Sequence, residues 1–394
     1  MRSVPLSPID LAFVGRDGYS IEFLLRFARP LDEERLAAAL EAAIAVFWPL
    51  RGRLVADERA GMCVVESDAR ADFVVAAPRP TLDTRSPEEL AAFHADIVSL
   101  PGEPLLRVRY GRVGDGSALS VHVSHCLVDG HSYFHFLGAL AATCRGDPGA
   151  VPPPDHDRSR LAPDPQALAP GRHSDAVDAE ALFQETGISW GEVRRLPRLA
   201  ACRWTFLEFS AARLQRLLDE AATTSGARLS RHDVLAAHLW QRAAREWDAA
   251  GDTLSHVGGF DYRRVYAGLS PHYFGNAVRN ATLRLGREEV LGAPLGRLAE
   301  HIRGVTASMN EARARESLRC LAEIRLARGL AAFAHMHAVD PGAGFLVTNM
   351  SRTPLDAMDF GVGPPEELVA LTPGLRSAFV SAARDGVLVR LSTA

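Results

Sequence analysis

Residues 117–136 read SALSVHVSHCLVDGHSYFHF, and the hydrophobic period changes within them. Apolar and polar side chains alternate up to residue 124, which predicts a β-strand with one apolar and one polar face. A loop with the sequence HCLVDG follows, and a helix is predicted over about 132–142. His125 therefore lies where a strand meets a loop that leads into a helix, and scaffolds often mount reactive side chains at such positions.

Strands and helices alternate on both sides of this segment, which favours an α/β fold of two domains. We place the first domain at residues 1–175 and the second at residues 176–394. The Pro-rich segment 146–175, with few large apolar residues, is predicted to be the crossover that ends the first domain. Further strands are predicted over 20–28, 52–55, 63–67, 104–111, 203–210, 279–285, 344–349, 377–383 and 387–391. Further helices are predicted from Asp32, as N-cap, to Pro49, and over 211–222, 230–247 with a Ser230–Asp233 capping box, and 293–333.

The basic residues exclude several enzyme classes. All 44 of them are Arg, and the 394-residue chain contains no Lys. P-loop nucleotide hydrolases, pyridoxal enzymes and protein kinases each need a Lys for phosphate or Schiff-base chemistry. The net charge of −4 offers no basic field for a nucleic acid, so no nucleic-acid partner is expected.

Cysteine usage and hydropathy indicate a reduced, cytoplasmic protein. The five Cys residues are odd in number and form no C-x-x-C, which argues against a disulfide framework or a zinc knuckle. The N-terminal stretch MRSVPLSPIDLAFVG is interrupted by Pro5, Pro8 and Asp10 and does not resemble a signal peptide. No apolar run approaches the roughly 18 residues of a membrane span, so no membrane association is expected.

His125, Asp129 and Gly130 form an H-x-x-x-D-G motif. A His at this junction can act as a general base because its pKa lies near neutral pH. We expect Asp129 to pair with an Arg and hold the loop, and Gly130 to permit the turn. The ordinary alternative is a loop histidine with satisfied hydrogen bonds, since such short motifs also arise by chance.

A metal site is the other alternative at this place, and we expect none. No carboxylate or Cys completes a familiar metal-ligand spacing. His131 and His135 lie one helical turn apart, but His122 and His125 point to opposite faces if the strand continues. The candidate ligands would be His122, His125, His131 and His135.

Two Gly-containing segments later in the chain have turns as their ordinary interpretation: 359–364, DFGVGP, and 273–277, YFGNA. The first is not a kinase motif, because Lys and H-R-D are absent. The chain also lacks G-x-S-x-G, so nothing supports a nucleophile-elbow hydrolase.

Seven segments in order resemble the BAHD acyltransferases, a family within the chloramphenicol-acetyltransferase-like superfamily. The order along nearly the whole chain is more specific than any single segment. The segments are LSPID (6–10), FWPLRGRL (47–54), HCLVDG (125–130), LSRHDVLAAHLWQR (229–242), FDYRR (260–264), YFGNAV (273–278) and VTNMSRTPLDAMDFGVGPP (347–365).

The resemblance implies two chloramphenicol-acetyltransferase-like α/β domains with a channel between them. It implies that His125 is the catalytic base, and that Asp129 points away from the channel and pairs with Arg263 as a structural residue together with Gly130. The resemblance makes Thr348 the oxyanion donor, and Asn349 is the second candidate because an amide can also donate. The ordinary alternative for Thr348 is a strand residue favoured for its β-branched side chain. It assigns Asp359, Phe360, Gly361 and Gly363 to the fold and the CoA side, and it makes Phe274, Asn276 and Met350 candidates for the channel.

Three residues depart from the family pattern. Met350 stands where the family has Trp, which alters a pocket wall, and Val362 replaces a second aromatic residue. Ser124 precedes His125, so the chain lacks the H-H-x-x-x-D-G of peptide-synthetase condensation domains, which favours a stand-alone transferase. The absence of Lys leaves the site for the CoA phosphates unidentified.

We therefore expect a monomeric CoA-dependent O- or N-acyltransferase with acyl-CoA as co-substrate and no permanently bound cofactor. Its acceptor would be a small molecule, such as a natural product. Transfer would be direct, since Cys126 follows His125 immediately and should face away from it. Two alternatives stay open: a condensation-like transferase that takes its acyl group from a carrier protein, and a non-catalytic binding or scaffold protein.

Overall fold

Sixteen strands, from two to nine residues long, are distributed over the described part of the chain. The computed structural model describes residues 2–247, 251–372 and 376–393. In these ranges the strands are β1 Ser3–Pro5, β2 Ser20–Phe27, β3 Arg53–Asp57, β4 Gly61–Val65, β5 Asp72–Val75, β6 Leu106–Val113, β7 Gly116–Ser124, β8 Ser189–Trp190, β9 Arg203–Phe209, β10 Thr253–Asp261, β11 Val278–Gly286, β12 Met336–His337, β13 Gly344–Asn349, β14 Glu367–Ala370, β15 Ser377–Ala383 and β16 Gly386–Thr393.

Helices pack against these strands. In the same ranges they are α1 Pro8–Leu11, α2 Glu33–Val46, α3 Pro87–Leu90, α4 Gly130–Arg145, α5 Ala179–Thr186, α6 Ala211–Ala222, α7 Arg231–Glu246, α8 Arg287–Gly292, α9 Leu295–Ala307 and α10 Glu311–Arg328. Within the described part of the chain, no helix is both long and apolar enough to cross a lipid bilayer.

Two large sheets organise the α/β fold. One, here called the N-terminal sheet, has the order β14-β2-β7-β6-β5, and the other, the C-terminal sheet, has the order β11-β10-β13-β15-β16-β9. Strands β2 and β7 are antiparallel with Ser20 opposite Ser124, which brings the start of β2 beside the loop that contains His125. Strand β14 comes from the C-terminal half but pairs with β2 in the N-terminal sheet. The division at residue 175 stays a prediction.

Most local predictions agree with the structure, including the capping box at α7, in which Ser230 and Asp233 bond reciprocally. The long helical stretch predicted over roughly 293–333 is helical for most of its length but is interrupted: α9 ends at Ala307 and α10 starts after Asn310, whose side chain accepts from the Arg313 N–H. In a continuous helix, the first N–H groups of α10 would donate to carbonyls of the preceding turn. Here a capping side chain is the acceptor instead, so a new helix begins. Strand β10 and helix α8 are the longest strand and one of the short helices among several elements that were not predicted.

The segment 146–175 contains three short 3-10 turns, and it is tied to the rest of the molecule. Arg158, in the second turn, is buried with 2% of its surface exposed. Burying a charged side chain without hydrogen-bond or ionic partners is energetically costly, so a buried arginine is expected to have such partners. The crossover therefore delivers a cation into the interior.

Candidate active site

His125 directly follows β7 and is held by two contacts. Its backbone N–H donates to the carbonyl of Tyr19 at 3.0 Å, across the β2–β7 pair. Its ring stacks on Phe13, with 3.8 Å between ring centroids and an interplanar angle of 7°. The side chain is half-buried. These contacts fix the plane of the imidazole and leave one ring edge for other partners.

Asn276 determines which nitrogen of His125 carries the proton. Its Nδ2 donates to Asp10 Oδ1 and to the backbone carbonyl of His125, both at 2.7 Å. Because Nδ2 is committed to two acceptors, the Asn276 atom that lies 3.0 Å from His125 Nδ1 is the acceptor Oδ1. Nδ1 is therefore protonated, and Nε2 has the free lone pair that a general base requires.

Asp10 and Arg158 hold Asn276 in this orientation. Asp10 Oδ2 accepts from the N–H and hydroxyl of Ser7 and, at 2.5 Å, from Arg158 Nη1. Arg158 also donates to the carbonyls of Cys126 and Leu127. The result is a buried chain of contacts from the crossover through Asp10 and Asn276 to His125.

Gly275 places Asn276 next to the site. A Cβ at this position would lie 2.6 Å from the hydroxyl oxygen of Tyr273 and 2.7 Å from the ring carbon that bears it. Real side chains do not approach so closely, so glycine is required here by the close approach of the Tyr273 ring. The segment YFGNA thus contains a bend at Gly275 rather than a regular turn, and the tight packing of Gly275 fixes the position of Asn276.

Asp129 is occupied by structural contacts. Its carboxylate accepts from Arg263 Nη1 at 2.7 Å and Nη2 at 3.0 Å, and from the N–H groups of Ser132 and Ala277 at 2.9 Å. The predicted pairing with Arg263 is therefore present. Burial raises the pKa of Asp129, but the Arg263 charge and these donors outweigh it, and the net pKa lies below the ordinary range. Asp129 is also the N-cap of α4, which explains why that helix starts at Gly130 rather than Ser132.

The expected role of Gly130 is wrong. It is the first residue of α4, and its φ is not among the positive glycine values of the described chain. An added Cβ would meet nothing within 4 Å. The turn does not need glycine at this position, because a helical φ is available to every residue.

The oxyanion candidates lie at the end of β13. Thr348 pairs with Phe379 of β15, and no group in the described residues hydrogen-bonds its hydroxyl. Asn349 is exposed and already occupied: Oδ1 accepts from Ser351, and Nδ2 lies 3.3 Å from His232 Nδ1. Thr348 is therefore the better available donor.

The three residues predicted to line the channel lie in different surroundings. Met350 lines a cleft between the two large sheets together with Phe379. Phe274 has no exposed surface and packs edge-on against Phe47, so it is a core residue and not a channel wall. Asn276 is likewise fully buried and acts as the hydrogen-bond partner of His125.

The D-F-G-V-G segment is a turn docked on the N-terminal sheet. Asp359 Oδ1 accepts from the N–H groups of Gly361 and Gly363, whose φ values of 97° and 99° favour glycine. Arg29 donates to the carbonyl of Val362 at 2.6 Å, and Phe360 packs edge-on against Phe27, with ring centroids 5.5 Å apart. These contacts assign the segment to the fold.

The four histidines considered as metal ligands have separate partners, and that of His125 is Asn276. His122 faces Glu22 and the Phe93 carbonyl, His131 the Pro271 carbonyl and Asp261, and His135 the Pro152 carbonyl. Among the described residues, no three His, Cys, Asp or Glu side chains gather so that they could hold a metal ion.

Cys126 is not suited to act as a nucleophile. Its side chain is fully buried, and burial raises the pKa of its thiol to about 12. The reactive form of cysteine is the thiolate, which this environment disfavours.

The family model of the transferase family matches residues 19–385. Hydroxycinnamoyltransferase 2 of Oryza sativa subsp. japonica is 30% identical over 393 residues, which covers 91% of this chain and 83% of that protein. Hydroxycinnamoyl-CoA:5-hydroxyanthranilate N-hydroxycinnamoyltransferase HHT4 of Avena sativa is 29% identical, with coverage of 91% and 82%. TRI101 of F. sporotrichioides, solved with coenzyme A and T-2, has the same two-domain fold: TM-score 0.71 and 18% identity, covering 99% of this chain and 94% of that one. The chain is therefore an acyltransferase that belongs to the transferase family of BAHD enzymes.

Proposed function

We propose that the protein transfers an acyl group from acyl-CoA to a hydroxyl or amine of a small-molecule acceptor, with His125 as general base. The observation that carries this proposal is the hydrogen bond from His125 Nδ1–H to Asn276, which leaves Nε2 as the proton acceptor. Asp10 and Arg158 keep that arrangement in place, so the base is preorganised before substrate binds.

In the proposed reaction, Nε2 takes the proton of the acceptor O–H or N–H while the acceptor atom attacks the thioester carbonyl. The tetrahedral intermediate breaks its C–S bond, and the imidazolium returns the proton to the CoA thiolate. The products are an ester or amide and free CoA. The proposed transfer is direct and forms no acyl-enzyme. The cysteine next to His125, Cys126, is a poor nucleophile because its buried thiol stays protonated.

Both relatives described above are named for hydroxycinnamoyl transfer, and one of the two names specifies the CoA ester. Hydroxycinnamoyl-CoA is therefore the donor to test first, against aromatic amines and alcohols, with product formation followed by mass spectrometry. Turnover with free acyl-CoA alone supports the proposal. Turnover only when the acyl group is tethered to a carrier protein supports the condensation-like alternative, and acyl-CoA binding without turnover supports the non-catalytic one.

The activity should persist into mildly acidic pH. Burial lowers the pKa of His125; its own backbone, Asp129 and Asn276 oppose that effect without overcoming it, so the pKa lies below the ordinary 6.5. Only the neutral imidazole accepts a proton, so kcat/KM should rise with pH along a limb centred below 6.5 and then stay level. The profile is measured with a neutral hydroxyl acceptor. A limb centred above 6.5 would contradict this prediction.

Removing the hydroxyl of Thr348 should slow the chemical step. Thr348→Val keeps the β-branched shape and deletes the donor, so kcat should fall by about 10²–10³ with little change in acyl-CoA affinity. Asn349→Ala is the matched control, because the Asn349 side chain is engaged by Ser351 and His232. If Asn349→Ala loses kcat and Thr348→Val does not, the donor is Asn349; if both keep kcat, neither side chain holds the oxyanion.

A further inference from the structure

Asp10 has an ordinary structural role near the start of the chain. Its Oδ2 accepts from the backbone N–H of Ser7 at 2.8 Å and from the Ser7 hydroxyl at 2.7 Å, which forms a capping box at α1. That box uses only one of the two carboxylate oxygens. Because Asp10 has no exposed surface, Oδ1 must find its partners inside the protein.

Oδ1 of Asp10 is directed at Asn276. It accepts from Asn276 Nδ2 at 2.7 Å and from the backbone N–H of the same residue at 3.3 Å. Arg158 Nη1 donates to the other oxygen, Oδ2. The two oxygens therefore have separate partners: Oδ2 completes the capping box and an ion pair, and Oδ1 binds the residue that contacts His125.

The crossover holds these two side chains at hydrogen-bond distance. Arg158 binds the carboxylate. Three residues earlier, Asp155 pairs with the segment just before Asn276: its N–H donates to the His272 carbonyl at 2.9 Å, and its carbonyl accepts from the Phe274 N–H at 2.7 Å. The same short stretch of the crossover therefore fixes both ends of the contact, and the orientation of the Asn276 amide is what remains to be determined.

The Asn276 amide has two orientations that differ by a half-turn, and Asp10 favours one of them. An ionised carboxylate offers only acceptors, so the amide nitrogen faces Asp10 and the amide oxygen faces His125 Nδ1. In the opposite orientation, the amide oxygen would lie 2.7 Å from Asp10 Oδ1 and from the His125 carbonyl, where Nδ2 now donates. The ring would then meet a donor at Nδ1 and would carry its proton on Nε2.

The carboxylate of the H-x-x-x-D-G motif does not make this connection. The donors that Asp129 satisfies belong to Arg263 and to two backbone N–H groups. Among the described residues, its hydrogen bonds reach neither the ring of His125 nor the amide of Asn276. Of the two buried carboxylates, Asp10 is thus the one that hydrogen bonds link to the base.

We propose that Asp10, a residue outside the motif, is the positioning residue that sets the tautomer of His125. Through the Asn276 amide it places the ring proton on Nδ1 and leaves Nε2 available as the base. Nδ1 donates in both the neutral and the charged ring, so the same hydrogen bonds persist and no group has to turn during proton transfer. This inference rests on the proposed function, because it concerns the base of that reaction.

The test replaces the carboxylate with an amide of the same shape, in the variant Asp10→Asn. Three donors gather at Oδ2, two from Ser7 and one from Arg158, so the oxygen of the new side chain should stay there. Its NH2 group then faces Asn276 Nδ2, and two donors meet. The Asn276 amide should rotate and bring its own nitrogen to His125 Nδ1, which moves the ring proton to Nε2.

The variant is examined as full-length protein by kinetics and by NMR. Removing a hydrogen bond to a charged group shifts such an equilibrium by about 10- to 100-fold, so kcat with hydroxycinnamoyl-CoA should fall by that factor while KM changes little. ¹⁵N NMR of histidine-labelled protein distinguishes protonated from unprotonated ring nitrogens, and the signals of His125 are those missing from His125→Ala. We expect the proton on Nδ1 in the wild type and a shift towards Nε2 in Asp10→Asn.

Asp233→Asn is the matched control. Asp233 is also buried, with 1% of its surface exposed. Its Oδ2 accepts from the N–H and the hydroxyl of Ser230 at 2.8 and 2.7 Å, the same distances as in the capping box at α1. This variant therefore measures the effect of a disturbed capping box alone, and it should leave both kcat and the tautomer of His125 unchanged.

Exchanging the two side chains tests the contact in reverse. In the double variant Asp10→Asn, Asn276→Asp, the amide donates to the carboxylate, and the carboxylate accepts directly from His125 Nδ1–H. The ring proton should return to Nδ1, and kcat should exceed that of Asp10→Asn by about 10-fold. The carboxylate beside the ring should also raise the pKa of His125, which moves the acidic limb of kcat/KM to higher pH.

Wild-type kcat and tautomer in Asp10→Asn, an equal loss of kcat in Asp233→Asn, or a proton on Nε2 in the wild type would overturn the proposal and leave Asp10 as a capping residue. If Asp10→Asn does not fold, the exchange variant decides: a proton on Nδ1 with turnover supports the proposal, and a proton on Nε2 contradicts it.

The proposed reaction can fail separately. If the tautomer of His125 responds to Asp10→Asn but the wild type acylates no acceptor, the positioning role stands and the proposed transfer reaction is wrong. If acylation depends on His125 but neither kcat nor the tautomer responds to Asp10→Asn, the reaction stands and the positioning role is wrong.

Discussion

Replacing His125 with alanine is expected to lower kcat by about 10²–10⁴ while leaving the fold and acyl-CoA binding intact. The ring is half-buried, and its loss removes the proton acceptor Nε2 together with the stacking contact on Phe13. The other contacts of the chain from Arg158 to Asn276 remain. Single-turnover kinetics with saturating acyl-CoA measure the effect on the chemical step.

His131→Ala is the matched control for this variant. His131 is six residues further along, its side chain is 46% exposed, and it contacts Asp261 and the Pro271 carbonyl. Its removal should change kcat little. Wild-type turnover by His125→Ala would rule out the general-base mechanism, and loss of acyl-CoA binding by that variant would point to a structural role for the histidine.

Asp129→Ala is expected to reduce the free energy of unfolding by about 3–5 kcal/mol, which is typical when one partner of a buried ion pair is deleted. The carboxylate is nearly inaccessible, with 6% side-chain exposure, and satisfies four donors. Part of the loss comes from the N-cap of α4, which alone contributes about 1 kcal/mol. Arg263 keeps Asp261 as a partner at 3.1 Å, which favours the lower end of the range. Urea denaturation measures the change.

Asp261→Ala tests the same arginine from its exposed side. The Asp261 side chain is 44% exposed, so its loss should cost less than about 1 kcal/mol. A large difference between the two variants is the expected signature of a buried structural pair. If Asp129→Ala is as stable as the wild type but inactive, Asp129 takes part in catalysis, and its assignment as a structural residue is wrong.

The predictions from sequence succeeded where the information is local. The alternation before His125 predicts β7, and the pair Ser230 and Asp233 predicts the start of α7. The helical stretch predicted over roughly 293–333 missed one break, because the helical pattern continues past a point where the break depends on one side chain, Asn310. Strand β10 contains Gly258 and Gly259, which weaken any strand pattern.

The contacts that orient His125 could not be predicted from one sequence. Asn276 lies 151 positions from His125 and 266 positions from Asp10. Only the folded topology brings these side chains together, and no local pattern encodes their distances. Arg158 gave a weak signal as a basic residue in a Pro-rich segment, where exposure is the usual expectation. The pairing of Asp129 with Arg263 was reachable only through the family resemblance.

The position of β14 has a consequence for how the chain is made. Strand β2 is flanked by β7 on one side and by β14 on the other. During synthesis β7 emerges about 100 residues after β2, but Glu367–Ala370 emerges about 240 residues after β7. Until then the nascent N-terminal sheet exposes the free backbone edge of the apolar segment SIEFLLRF, and such an edge can pair with another chain. We therefore expect a nascent chain that has not yet formed β14 to be prone to pairing at this edge, and we expect truncation before residue 367 to leave the edge free.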